Sequence, residues 1–125
     1  MPIAGLEANA NISANQFEAV QMTGTTNKFR VSAITVNTQK PIGILQNNPN
    51  AAGQGAEVAG PGEVAKARYG GTVNAGESLS VDADGELVTV VEGTDTTRYI
   101  IAQALEDGAD QEVHYVLVVT AHRAA

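Results

Sequence analysis

No stretch of this chain holds a 3.6-residue apolar period long enough to give a helix a buried face. Its apolar residues fall in short runs cut by Gly, Asn and Asp, and the longest, Tyr115 to Val119, has only five residues. That pattern builds strands and tight turns, and it stops far short of the roughly 20 residues that a membrane-spanning helix needs. A length of 125 residues fits one domain with a modest core. The core must also be thin, because Phe17, Phe29, Tyr69, Tyr99 and Tyr115 are the only aromatics while 13 glycines punctuate the chain. The expectation is an all-β fold, a compact sandwich or barrel with little helix.

Residues 1–16 (MPIAGLEANANISANQ) stand apart. They are small, polar and rich in Ala and Asn, with Glu7 as their one charge, so little in them offsets the entropy of ordering. They read as an extended N-terminal arm, and 17–125 as a single β domain. Strand signals start with Phe17–Met22 and Phe29–Val36, then Pro41–Gln46, ended by Asn47-Asn48-Pro49-Asn50. A Gly/Pro-rich loop follows, with room for a brief strand at Glu57–Ala59. In Glu63–Tyr69, Ala65, Ala67 and Tyr69 share one face, and Lys66 and Arg68 take the other. Asp84-Gly85 predicts a hairpin between Ser78–Asp82 and Glu86–Glu92. Arg98–Leu105 and Glu112–Thr120 form the last pair. The final run is apolar on both faces, which predicts a central strand covered on both sides.

Charge and residue types exclude several functions. The net charge of −7 argues against nucleic acid, which is bound through basic side chains on phosphates. Between Glu77 and Glu112 ten acids face only Arg98, whereas residues 1–76 are near neutral. That imbalance reads either as a solvated acidic face that keeps the protein in solution or as a polarised molecule, with a near-neutral end for docking and an acidic end facing water. Without cysteine there is no disulfide, thiolate metal site or cysteine nucleophile. No secretory leader is visible at the N-terminus, so the Asn11-Ile12-Ser13 sequon stays idle.

Motifs for chemistry fail one by one. Asp82-Ala83-Asp84-Gly85-Glu86 starts like a calcium loop, but its twelfth position, where a bidentate Glu belongs, is Gly93. His114 and His122 lack a third metal ligand. Gly60-Pro61-Gly62-Glu63-Val64-Ala65 is followed by a strand rather than the helix that a dinucleotide site requires. No nucleophile elbow, phosphate-binding loop or zinc-protease motif occurs. No metal, cofactor or enzymatic role is expected.

The order of these signals resembles the capsid decoration (cement) proteins of tailed bacteriophages. The matching pieces are Pro41 to Asn47, Ala51 to Val58, Gly70 to Leu79, Asp82 to Val88 and Ile101 to Gly108. The resemblance covers nearly all of the chain beyond residues 1–16, and it rests on turn-and-strand punctuation. It implies a body of the β-tulip or β-clip kind, usually a homotrimer, fastened to the major capsid protein on the outer surface of the virion head. It also implies stabilisation of the shell and no catalysis. Capsid-binding candidates are then Pro2, Ile3, Leu6 and Ile12 as apolar plugs on the arm. Lys28, Arg30, Asn47, Asn48 and Asn50 are candidates on the body.

Two other classes stay open. Gly70 to Leu79 also resembles the G-x-V-x-x-G-[DE]-x-L stretch of biotinyl and lipoyl carrier domains, yet no lysine follows Lys66 to be modified. A generic β module binding carbohydrate or protein is the other alternative, although the chain has no Trp to form a sugar platform.

Overall fold

The structure, a computed structural model, describes residues 2–23 and 29–125. Its strands are β1 (Pro2–Ile3), β2 (Glu7–Ala8), β3 (Ala19–Met22), β4 (Arg30–Ala33), β5 (Gly43–Leu45) and β6 (Val58–Ala59). They continue with β7 (Val64–Arg68), β8 (Ser78–Val81), β9 (Leu87–Thr89), β10 (Tyr99–Ala104) and β11 (Val113–Arg123). The only helical turn among the described residues is a 3-10 turn at Ser13–Asn15. The expected all-β class holds.

The first sheet runs β1-β6-β5-β3-β4-β2 and curls so that β2 comes back to the stretch before β6. Glu7 bridges Gly55, Ala8 N–H donates to the Gln54 carbonyl at 2.8 Å, and Ala56 N–H donates to Leu6 at 2.9 Å. Because residues 54–56 lead directly into β6, these bonds hold the sheet as a curled half-barrel. Leu6, Ala8, Ile12, Val20, Val31, Leu45, Ala56 and Val58 fill it. Burying one side chain the size of Leu45 stabilises the fold by about 1.5–3 kcal/mol. Gly43 is required where β5 passes β6, since a Cβ there would run into the Ala59 carbonyl and the Val58 side chain.

The second sheet runs β7-β11-β10-β8-β9. The Asp84-Gly85 hairpin forms as expected, with Gly85 at φ +85° and β8 antiparallel to β9. Tyr69, just past β7, bridges Leu87 of β9, so the outer strands of this sheet also approach each other. Alternation in β7 points Ala65, Ala67 and Tyr69 inward. They join Leu79, Val81, Leu87, Ile101, Val116 and Val118 in a core that also takes Ala19, Ile34, Ile44 and Ala59 from the first sheet.

Phe17 ties the two sheets together. Its N–H donates to Leu45 of β5 at 2.6 Å, and its carbonyl accepts from Arg68 N–H of β7 at 2.8 Å. To aim both groups it takes φ +69°, a conformation uncommon for a residue with a side chain.

Two expectations change. The segment read as an arm is part of the barrel: β1 pairs with β6, β2 pairs in parallel with β4, and Leu6, Ala8 and Ile12 lie in the core. A few apolar residues and backbone bonds to distant strands hold it, so the segment needs no local period. The second change is in β11. It is central, but Tyr115 is 48% exposed and Leu117 is half-buried, so one of its two apolar faces lies open.

Candidate docking surfaces

The sequence candidates converge only in part. Ile3, Leu6 and Asn47 line one groove of about 570 Å³ on the first barrel, together with Glu7, Gly55 and Glu57. Ile3 is half-buried at its wall, while Leu6 and Ile12 are buried and serve the core of their own chain. Both side chains are thus packed inside their own barrel, rather than standing out as plugs on a free arm. Pro2 lies in β1. Arg30 is half-buried and forms an ion pair with Glu7 at 3.4 Å. Lys28 lies outside the described residues.

Asn47 has an internal task. Its amide donates to the Gly55 carbonyl at 2.9 Å, and its oxygen accepts from Glu57 N–H at 2.9 Å. Asn48 and Asn50 are exposed on the adjoining loop around buried Pro49. The Pro49 carbonyl accepts from Ile12 N–H at 3.1 Å, so this loop is fixed to the N-terminal segment.

Carboxylates meet at the seam between the sheets. Oxygens of Asp82, Asp84 and Glu86 lie within 4.8 Å of one another. Sequence spacing alone dismissed this trio, and the hairpin turn gathers it. Asp82 Oδ1 already accepts from the N–H groups of Asp84 at 2.9 Å and Glu86 at 3.0 Å, the geometry of an Asx turn. Burial raises the pKa of Glu86, offset in part by the Gln111 amide, and the nearby Asp82 charge raises it further. Glu18 across the seam is raised by the same cause, burial first, against a lowering hydrogen bond from Asn15.

A second polar cluster holds the β10–β11 turn. The His114 ring stacks on Tyr69 with centroids 5.3 Å apart, and its nitrogens reach Glu112 at 3.0 Å and Glu106 at 3.4 Å. Those partners, Glu112 first, raise the His114 pKa. The Tyr69 hydroxyl donates to the Glu106 carbonyl at 2.9 Å, and burial pushes its pKa up to about 12. A phenol held that high stays protonated at neutral pH and acts as a strut.

The surface that sequence reasoning missed is the open face of the second sheet. Across it Lys66 pairs in register with Tyr115, and Val64 with Leu117. Val64 is 60% exposed and Leu105, beyond the end of β10, 45%. The signal was present in the sequence as the doubly apolar run of β11.

No family model matches the chain, and no curated protein does. Among solved structures it is similar to the head fiber gp8.5 N base of bacteriophage phi29, with a TM-score of 0.69 at 12% sequence identity. The match covers 90% of this chain and 89% of that one. At that identity the likeness is one of fold, over about nine-tenths of each chain.

Proposed function

We propose that this chain is a structural protein of a bacteriophage virion. In this reading it sits on the outer surface of the icosahedral head as a decoration protein, bound to the major capsid protein as a homotrimer, and reinforces the shell without catalysing a reaction. The observation that carries the reading is the fold shared with the phi29 head fiber base over nine-tenths of the chain. The resemblance of Pro41 to Asn47 and Gly70 to Leu79 to decoration proteins agrees with it. A non-catalytic role is supported by the polar groups themselves: the amide of Asn47, Oδ1 of Asp82 and the Tyr69 hydroxyl are all committed to backbone partners.

The test is addition of purified protein to phage heads that lack it, followed by electron microscopy and heating. Added density on the outer shell, with DNA release moved to higher temperature, is the expected result. Heads that stay bare at saturating protein would overturn the proposal.

A further inference from the structure

We infer that the place where Lys40 and Arg123 meet at the Tyr99 ring docks a short acidic segment of the capsid protein. A carboxylate of that segment sits on the two cations, and an apolar side chain enters the pocket beside them. The inference deepens the virion reading above and rests on it. Tyr99 opens β10 and pairs in register with Arg123 at the end of β11. The guanidinium carbon of Arg123 stands 5.0 Å from the centroid of the Tyr99 ring. Lys40, just ahead of β5, brings its Nζ to 6.0 Å from the same centroid. Both cations are exposed and Tyr99 is half-buried.

Among the described residues neither cation has a carboxylate within ion-pair distance. The acids just before Tyr99 in the chain are engaged elsewhere: Asp95 accepts from Val91 N–H at 2.8 Å, and Glu92 from the Ser78 hydroxyl at 3.5 Å. The ring attracts each cation, but two like charges gathered at one ring repel, and their own chain supplies no counter-ion. The arginines elsewhere are already held, Arg30 by Glu7 and Arg68 and Arg98 by backbone carbonyls. A long polyanion such as nucleic acid is repelled by the rest of a surface whose net charge is −7. A short acidic segment meets the two cations without crossing that surface.

Lys40 also walls a pocket of about 420 Å³, with Gln21, Met22, Gln39, Pro41 and Ile42. Its two amides are turned to their own chain. The Gln21 amide donates to the Ala33 carbonyl at 3.1 Å, and the Gln39 oxygen accepts from the N–H groups of Thr35 at 2.8 Å and Val36 at 3.2 Å. What they leave open is apolar, with Met22 41% exposed and Ile42 half-buried. Because Lys40 belongs to both the pocket and the ring site, an apolar side chain seated here brings its neighbours in the segment to the cations. An apolar anchor beside a charged rim is the anatomy of a protein interface.

The test is binding of the full chain to phage heads that lack it, read as occupancy over a concentration series. The variants are the double change Lys40→Glu with Arg123→Glu, and Met22→Glu; Lys66→Glu, at an exposed cation on the other sheet, is the control. Thermal unfolding checks that each variant is folded, and Lys40→Gln with Arg123→Gln replaces the double change if it is not. The natural chain and the control bind alike, the double change raises the half-saturating concentration about tenfold or more, and Met22→Glu weakens binding as well. Added salt weakens the natural chain more than the double variant. If the double variant and Met22→Glu fill heads like the natural chain, or Lys66→Glu binds as poorly as they do, the site is overturned and the virion reading stands. Heads left bare by the natural chain overturn both. Sedimentation showing self-association that the double change abolishes makes a second copy the occupant and overturns the capsid segment.

Discussion

The carboxamide of Gln46 pairs with both backbone groups of Lys66, its Nε2 donating to the carbonyl at 2.9 Å and its Oε1 accepting from the N–H at 3.2 Å. Its neighbour Asn47 does the same in the other direction, to the Gly55 carbonyl and the Glu57 N–H. Two adjacent amides thus stand in for strand partners, one on each sheet.

Gln46→Ala should cost about 0.5–1.5 kcal/mol, since water re-solvates part of what is lost at this partly exposed site. It should also free the β7 edge and make the protein prone to aggregate. Urea unfolding and light scattering check the two effects separately. A variant as stable and as dispersed as the parent would show that the amide is idle.

Leu6→Ala should destabilise the chain by about 2–5 kcal/mol, the range for emptying a buried leucine site. Deleting residues 2–12 should abolish the first barrel, because β1, β2, Leu6 and Ile12 leave together. Two-dimensional NMR of the truncated chain checks this. Unchanged resonances for β3 to β6 would return the segment to the status of a detachable arm.

Gly108→Ala should be destabilising by about 1–3 kcal/mol through overpacking. A Cβ there would stand 2.6 Å from Tyr69 Cδ2 and against the His114 ring. Thermal unfolding measures the loss, and a milder glycine-to-alanine change at open Gly71 is the control.

Stability should fall as pH rises from acid toward neutral. Glu18 and Glu86 have folded pKa values above 4.5, so the native state holds their protons longer than the unfolded chain and loses that advantage as pH climbs through those values. His114 acts in the next window: its contribution is complete below 6.5 and is lost as pH passes its higher folded value. Glu112, lowered chiefly by its hydrogen bond from Ala109 N–H, works the other way and loses its contribution in strong acid. Glu86→Gln should flatten the slope above about pH 4.5, measured by denaturant unfolding at a series of pH values. In Glu112→Gln the His114 ring should titrate lower by NMR.

Local chemistry made much of the fold legible. Asp84-Gly85 specified its hairpin, and the alternation of Ala65, Ala67 and Tyr69 against Lys66 and Arg68 specified the faces of β7. What stayed hidden depends on distant pairing. Leu6 and Ile12 carry no periodic signal because each is buried by strands far along the chain. Asn47 looked like a surface recognition residue because nothing local shows that Gly55 and Glu57 will take its amide. The open face of β11 was misread for a related reason: a run apolar on both sides does not tell which side its own chain will cover.

The curl of the first sheet sets an order of events in synthesis. Every strand partner of β1 and β2 lies downstream: Arg30 and Val31, Gly55, then Val58 and Ala59. Strand β1 must therefore wait for roughly fifty more residues, at about 5–20 residues per second, before its partner β6 is made. Val20 and Val31 can begin to cover Leu6 and Ile12 sooner, but the sheet locks only when β6 arrives to meet β1.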